Sequence, residues 1–175
     1  MSRILLLVDH KENRRLLAEW LNEWHEVLPT GPAEEVQDIP QEHFDLCIIS
    51  GVALMRLKEQ VAARRNDQLA SFLPFLLVVA RKDVAKITPD MRQLVDELLL
   101  TPVEKLELRI RIESLLRIHQ HNLHLVDALK ERRKLEGELF QMIGHLEQHL
   151  TKLRQSSEEL QKEIDCYKRG LQDLI

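Results

Sequence analysis

All six prolines, Pro29, Pro32, Pro40, Pro74, Pro89 and Pro102, lie in the first 102 of the 175 residues, and the last 73 contain none. Proline removes a backbone donor and clashes with the preceding turn of a helix, so its distribution separates punctuated chain from chain that can run on as helix. The two stretches differ in charge as well. Residues 1–102 carry 12 Lys+Arg against 16 Asp+Glu, and residues 103–175 carry 13 of each. The net charge of -4 points away from nucleic acid or an anionic membrane as partner. No apolar run approaches the ~18 residues of a membrane span. Met1-Ser2-Arg3 leads straight into a short apolar run ending at Asp9, which is not the pattern of a signal peptide. Cys47 and Cys166 are too few and too far apart for a disulfide framework or a metal quartet, so a reducing, cytoplasmic setting is expected.

The first stretch alternates short apolar runs with helical patterns. Ile4-Leu5-Leu6-Leu7-Val8 has no polar alternation, which is how a strand buried on both faces reads. Residues 11–24 repeat Leu16, Leu17, Trp20, Leu21 and Trp24 at helical spacing. Trp20 and Trp24 read as packing residues in preference to a ligand-stacking pair. Further strands are expected at Glu26–Leu28, Phe44–Ile49, Pro74–Val79 and Leu98–Leu100, with helices over 33–38, 52–66 and 89–95. Strands alternating with helices imply a parallel sheet covered on both faces. Right-handed crossovers then restrict the fold class to α/β, an open doubly wound five-stranded sheet of the flavodoxin-like kind. Scarce aromatics and only five glycines argue against a sandwich, a barrel or a Gly-rich nucleotide site. In a doubly wound sheet, function sits at the carboxyl ends of the strands, here Asp9, His10, Ser50, Val79, Ala80 and Thr101.

At these positions the sequence resembles the receiver domain of bacterial response regulators, over roughly residues 3–120. The resemblance is carried by Ile4-Leu5-Leu6-Leu7-Val8-Asp9 with Asn13-Arg14 and Leu16-Leu17, then by Phe44-Asp45-Leu46-Cys47-Ile48-Ile49. Leu73-Pro74 leading to Ala80-Arg81, Asp96-Glu97-Leu98-Leu99-Leu100-Thr101-Pro102 and Leu106-Glu107-Leu108-Arg109-Ile110-Arg111 complete it. The family pattern implies an Asp ending the third strand as phosphoryl acceptor, where Ser50 stands. It implies two acidic residues holding Mg²⁺, where Asp9 and His10 stand. It implies a Ser or Thr ending the fourth strand, where Val79 stands, and a Lys before the proline, where Thr101 stands. The aromatic switch position of the fifth strand is Leu98.

These departures bear on chemistry. A phosphoaspartate needs a carboxylate, and a serine hydroxyl is a poor nucleophile without a base. Mg²⁺ takes oxygen ligands, commonly one or two carboxylates. Without the Lys, a phosphoryl group loses its neutralising charge. The expectation is a pseudo-receiver: the fold without the phosphorylation chemistry, not an enzyme, with no cofactor and no metal. Two other readings remain, an atypical phosphorylatable receiver using Asp9 or another carboxylate, and the N-terminal part of a histidine kinase.

The second stretch, taken as residues 115–175 after a receiver domain of 1–114, carries one heptad frame. Its a positions include Leu115, Asn122, Leu129, Glu136, Ile143, Leu150, Ile164 and Leu171. Its d positions include Ile118, Leu125, Arg132, Leu139, Leu146, Leu153, Leu160 and Tyr167. Apolar residues sustained at a and d predict a coiled coil, and Leu at d with Ile143 and Ile164 at a favours a parallel homodimer. Such a helix cannot bury its stripe on one small domain, so a second chain is expected. The arrangement resembles bacterial signalling proteins in which a receiver precedes a histidine kinase or another output domain, and implies a protein partner or downstream module. No helix-stop signal precedes Ile175, which suggests part of a longer protein. His119, His121 and His124 do not share one helix face and read as solvated or seam-flanking, not as ligands. His145, in Phe140-Gln141-Met142-Ile143-Gly144-His145-Leu146-Glu147, is only faintly similar to a kinase phosphoacceptor box, and no proline follows.

Overall fold

A computed structural model describes residues 1–28, 36, 38–66 and 72–172. Five strands, β1 (Arg3–Leu7), β2 (Glu26–Leu28), β3 (Leu46–Ser50), β4 (Phe75–Ala80) and β5 (Glu97–Thr101), alternate with helices α1 (Lys11–Leu21), α2 (Gly51–Asn66) and α3 (Pro89–Gln93). A 3₁₀ segment, Arg81–Lys86, lies between β4 and α3, and α4 (Lys105–Gln172) closes the order. The short helix expected over 33–38 falls mainly outside the described residues, and residues 38–45 form no helix.

The sheet order is β2-β1-β3-β4-β5, and every pairing is parallel. The strand order reverses between β1 and β3, so the crevice at their carboxyl ends is the switch point of a doubly wound sheet. Alternate residues supply opposite faces. Leu5, Leu7, Cys47, Ile49, Phe75 and Leu77 join Ala53, Leu54, Leu57 and Val61 of α2 and Met91 of α3 in one core. Ile4, Leu6, Leu46, Ile48 and Leu76 join Leu21 of α1 and Leu108, Ile112, Leu115 and Leu116 of α4 in the other. Each Val, Leu, Ile, Phe or Met side chain among them, taken from water, contributes about 1.5–3 kcal/mol before entropy is charged against it. Asp96 fastens β5 to its neighbours: its carboxylate accepts from Phe75 N at 2.8 Å, and both oxygens lie 2.9 Å from Arg65 Nη1 of α2.

Three expectations change. The first helix stops at Leu21, not at residue 24, because Asn22 turns the chain and its Oδ1 accepts from Val27 N at 3.1 Å, opening β2. Trp20 packs against the core, and Trp24 meets it edge to face at 5.1 Å with the Arg109 guanidinium over its ring. The boundary expected at residue 114 does not match the structural division, in which the first compact unit is Met1–Val126 and a second begins at Asp127. Leu115, expected in the coiled-coil seam, is buried in the core of the first unit at 4% exposure. Asn122 is likewise engaged within the chain, its Oδ1 accepting from Phe72 N at 3.0 Å.

Candidate functional site

The sequence-predicted positions converge. Asp9, His10, Ser50, Val79, Ala80 and Thr101, from the ends of four strands, line one cavity of about 460 Å³ at the carboxyl edge of the sheet. They meet there because parallel strands in register deliver their ends to one edge.

The two hydroxyls among them are engaged by neighbouring protein groups. The Ser50 hydroxyl donates to Asp9 Oδ2, and Ser50 Oγ accepts from Ala53 N at 3.4 Å at the start of α2. Asp9 Oδ1 is buried with no hydrogen-bond partner. His10 is the N-cap of α1, its Nδ1 accepting from Asn13 N at 3.4 Å, and it is exposed. Val79 is buried and apolar where a hydroxyl would be needed to meet a phosphoryl group. Thr101 reaches only to the Val79 carbonyl, at 3.5 Å, and its peptide bond to Pro102 is cis. The Mg²⁺ of a phosphorylatable receiver does not fit this set: one carboxylate contributes, one of its oxygens is taken by Ser50, and His10 offers nitrogen where the ion prefers oxygen.

Two residues missed by sequence reasoning also line the cavity, Lys82 and Lys86 of the 3₁₀ segment. Their signal was present, since Arg81-Lys82-Asp83 directly follows β4. Lys86 Nζ lies 2.7 Å from Asp83 Oδ1, and this pairing holds the Asp83 carboxyl below its ordinary range. Cys47 is no alternative nucleophile, because burial pushes its thiol far up from the usual value.

In the second unit, Leu129, Leu139, Ile143, Leu146, Leu150, Leu153, Leu160 and Ile164 are all exposed at their heptad positions. So are Ile118 and Leu125 in the first unit. The side chains of Tyr167 and Leu171 lie outside the described residues. Arg132 and Glu136 pair along the helix, Nε to Oε1 at 3.2 Å. His145 is exposed. Among the described residues no helix is long and apolar enough to cross a membrane.

No family model matches this sequence, and no curated protein does. Solved structures do. A Rhodopirellula baltica protein described as adenylate cyclase superposes with a TM-score of 0.56 at 16% identity, covering 74% of this chain and 97% of that one. A response regulator receiver domain protein from Clostridium thermocellum gives 0.52 at 15%, covering 69% and 98%. A fusion carrying a trimeric coiled-coil segment of yeast Spc42 gives 0.53 at 20%, covering 79% and 93%. The chain has the fold of response-regulator receiver domains, a five-stranded parallel sheet with covering helices, followed by a long C-terminal helix.

Proposed function

We propose that this chain is a non-enzymatic module of a two-component signalling pathway, a pseudo-receiver that works without phosphorylation. It dimerises through the apolar stripe of α4 and relays signals to a protein partner or output domain by contact. The single observation that supports this most is the bond from Ser50 to Asp9, which puts a hydroxyl at the acceptor position and occupies the neighbouring carboxylate. Fold likeness to a protein described as adenylate cyclase carries no cyclase chemistry with it. The proposed partners are a second copy of the chain and another protein, since the acidic balance offers nothing to nucleic acid or an anionic lipid surface. The proposed setting is the cytoplasm.

The test is incubation of the full chain with acetyl phosphate, or with beryllofluoride, in the presence of Mg²⁺. No mass increase and no change in thermal unfolding are expected. Ser50→Asp alone should also fail to accept phosphate stably, because Val79 and Thr101 still lack the groups that would hold it. A stable aspartyl phosphate on the wild-type chain would overturn the reading in favour of an atypical receiver.

A further inference from the structure

At the amino edge of the sheet, opposite the degenerate cleft, three side chains far apart in sequence converge. His43 and Asp45 stand two residues apart on the segment entering β3, on the same side of an extended chain, while Phe44 between them is buried in the core. His119 comes from α4 within the same compact unit and is only 1% exposed. His119 Nε2 lies 3.4 Å from Asp45 Oδ1, and His43 Nδ1 lies 3.9 Å from the same oxygen. One donor atom from each of the three falls within 4.8 Å of the others.

The hydrogen-bond pattern fixes what faces what. His119 Nδ1 contacts the Phe72 carbonyl, which has no proton to give, so Nδ1 carries the proton of the neutral ring. In the neutral ring Nε2 is then a bare lone pair, and it is buried without a hydrogen-bond partner. What it faces is a carboxylate oxygen, another lone pair. A proton on Nε2 or a metal ion between them resolves the conflict, and the nearby His43 Nδ1, 3.9 Å from the same oxygen, gives a metal ion a third donor atom.

We infer that His43, Asp45 and His119 form a binding site for a divalent transition-metal ion of the zinc type. This goes beyond the pseudo-receiver reading and does not depend on it. Two imidazole nitrogens and one carboxylate oxygen are a ligand set that zinc accepts with its fourth position left to water. Bonds of 2.0–2.1 Å in a tetrahedron place ligand atoms about 3.3 Å apart; His119 and Asp45 already stand at 3.4 Å, and the exposed His43 ring has to close in from 3.9 Å. The surroundings also suit a metal. His119 donates its other ring nitrogen to a backbone carbonyl, the usual support of a ligating imidazole. Asp45 Oδ2 accepts from Arg3 N at 2.7 Å, and Arg3 Nη1 donates to the His43 carbonyl at 2.8 Å, so both residues of the segment are held by Arg3. The Arg3 guanidinium is offset by Glu26 and Glu42 at 3.4 and 3.3 Å. The His43 side chain is 67% exposed, which gives an ion its entry path. A bound ion would tie α4 to the strand that ends at Ser50.

The test is calorimetric titration of the full chain with Zn²⁺ alone, alongside His43→Ala and His149→Ala. His43 is exposed, so its removal should leave the melting temperature of the metal-free protein unchanged. One saturable site per chain is expected, weakened at least tenfold by His43→Ala and unaffected by His149→Ala on the exposed helix. Zinc should raise the melting temperature of the wild type by at least about 2 °C and that of His43→Ala by less. Cobalt(II) should give the visible absorption of a four-coordinate ion in the wild type only. Absence of a saturable site, or identical affinity in the wild type and His43→Ala, would overturn the inference. In that event Asp45 and His119 are a simple ion pair.

Discussion

Leu115 and Leu129 occupy the same a position of one heptad frame on one continuous helix, yet Leu115 is 4% exposed and Leu129 is 48% exposed. The residue type, the spacing and the helix are the same. What differs is the surface available: within the compact unit ending at Val126, Leu108, Ile112, Leu115 and Leu116 pack on the sheet, while Ile118 and Leu125 stay exposed. From Asp127 onward, the described leucines and isoleucines of the stripe are exposed. The heptad pattern therefore encodes a demand for burial without encoding who meets it. A frame that begins as an intramolecular packing repeat and continues as an exposed stripe, the proposed seam, shows no break in sequence at the change.

The strongest way to break this comparison is to cut the chain on either side of it. A fragment of residues 1–114 loses Leu115, Leu116 and His119 from the unit that buries them. Two leucines at about 1.5–3 kcal/mol each are a large share of a domain's net ~5–15 kcal/mol, so this fragment should be largely unfolded by circular dichroism. Residues 1–126 should fold and run as a monomer in sedimentation. If both fragments fold equally well, Leu115 and Leu116 are not part of the unit's stability and the older boundary stands.

Point substitutions sharpen the same contrast at smaller amplitude. Leu115→Ala should destabilise the compact unit by about 2–5 kcal/mol in chemical denaturation, as expected when a buried leucine leaves a cavity. Leu146→Ala should leave that unit within ~0.5 kcal/mol of wild type, because the residue belongs to the second unit and is 55% exposed, while weakening self-association at least about tenfold. A Leu146→Ala variant that self-associates as tightly as the wild type would remove the proposed stripe from the interface.

The smallest effect is expected at Arg132 and Glu136, the two charges placed at seam positions. They already pair along their own helix, and both are well exposed, so the pair itself stabilises the single chain by only ~0.3–0.5 kcal/mol. Replacing both with Leu should raise the dimer's melting temperature, since charges at a seam cost more than apolar residues. A lowered melting temperature would place the two residues outside the seam.

Most of the sheet was legible because a strand buried on both faces must be apolar at every position, and Ile4–Leu7, Leu46–Ile49 and Phe75–Val79 are. Even the three-residue β2 was placed correctly, bounded as it is by turn residues. The cleft was legible too, since strand ends are addresses that a parallel sheet brings together. Lys82 and Lys86 were not anticipated: Arg81-Lys82-Asp83 directly follows β4, but no local pattern says that this segment lines the cleft. His119 was read only against His121 and His124 along its own helix. Its real neighbours, Asp45 and Phe72, are set by how that helix lies on the sheet, and no local pattern carries such information. The termination of α1 at Leu21 was hidden for a related reason: Trp24 keeps the helical spacing but packs from the turn that follows.

The hydroxyl of Ser50 resting on Asp9 has a consequence in time. A covalent phosphoryl group lets a signalling protein remember an input after the donor has gone, for as long as hydrolysis takes. A cleft whose acceptor position is a serine bound to its own neighbour has no such store. On the proposed pseudo-receiver reading, whatever state the chain adopts persists only while its partner remains attached. Its response would then follow the partner's present concentration and off-rate and reset without a phosphatase.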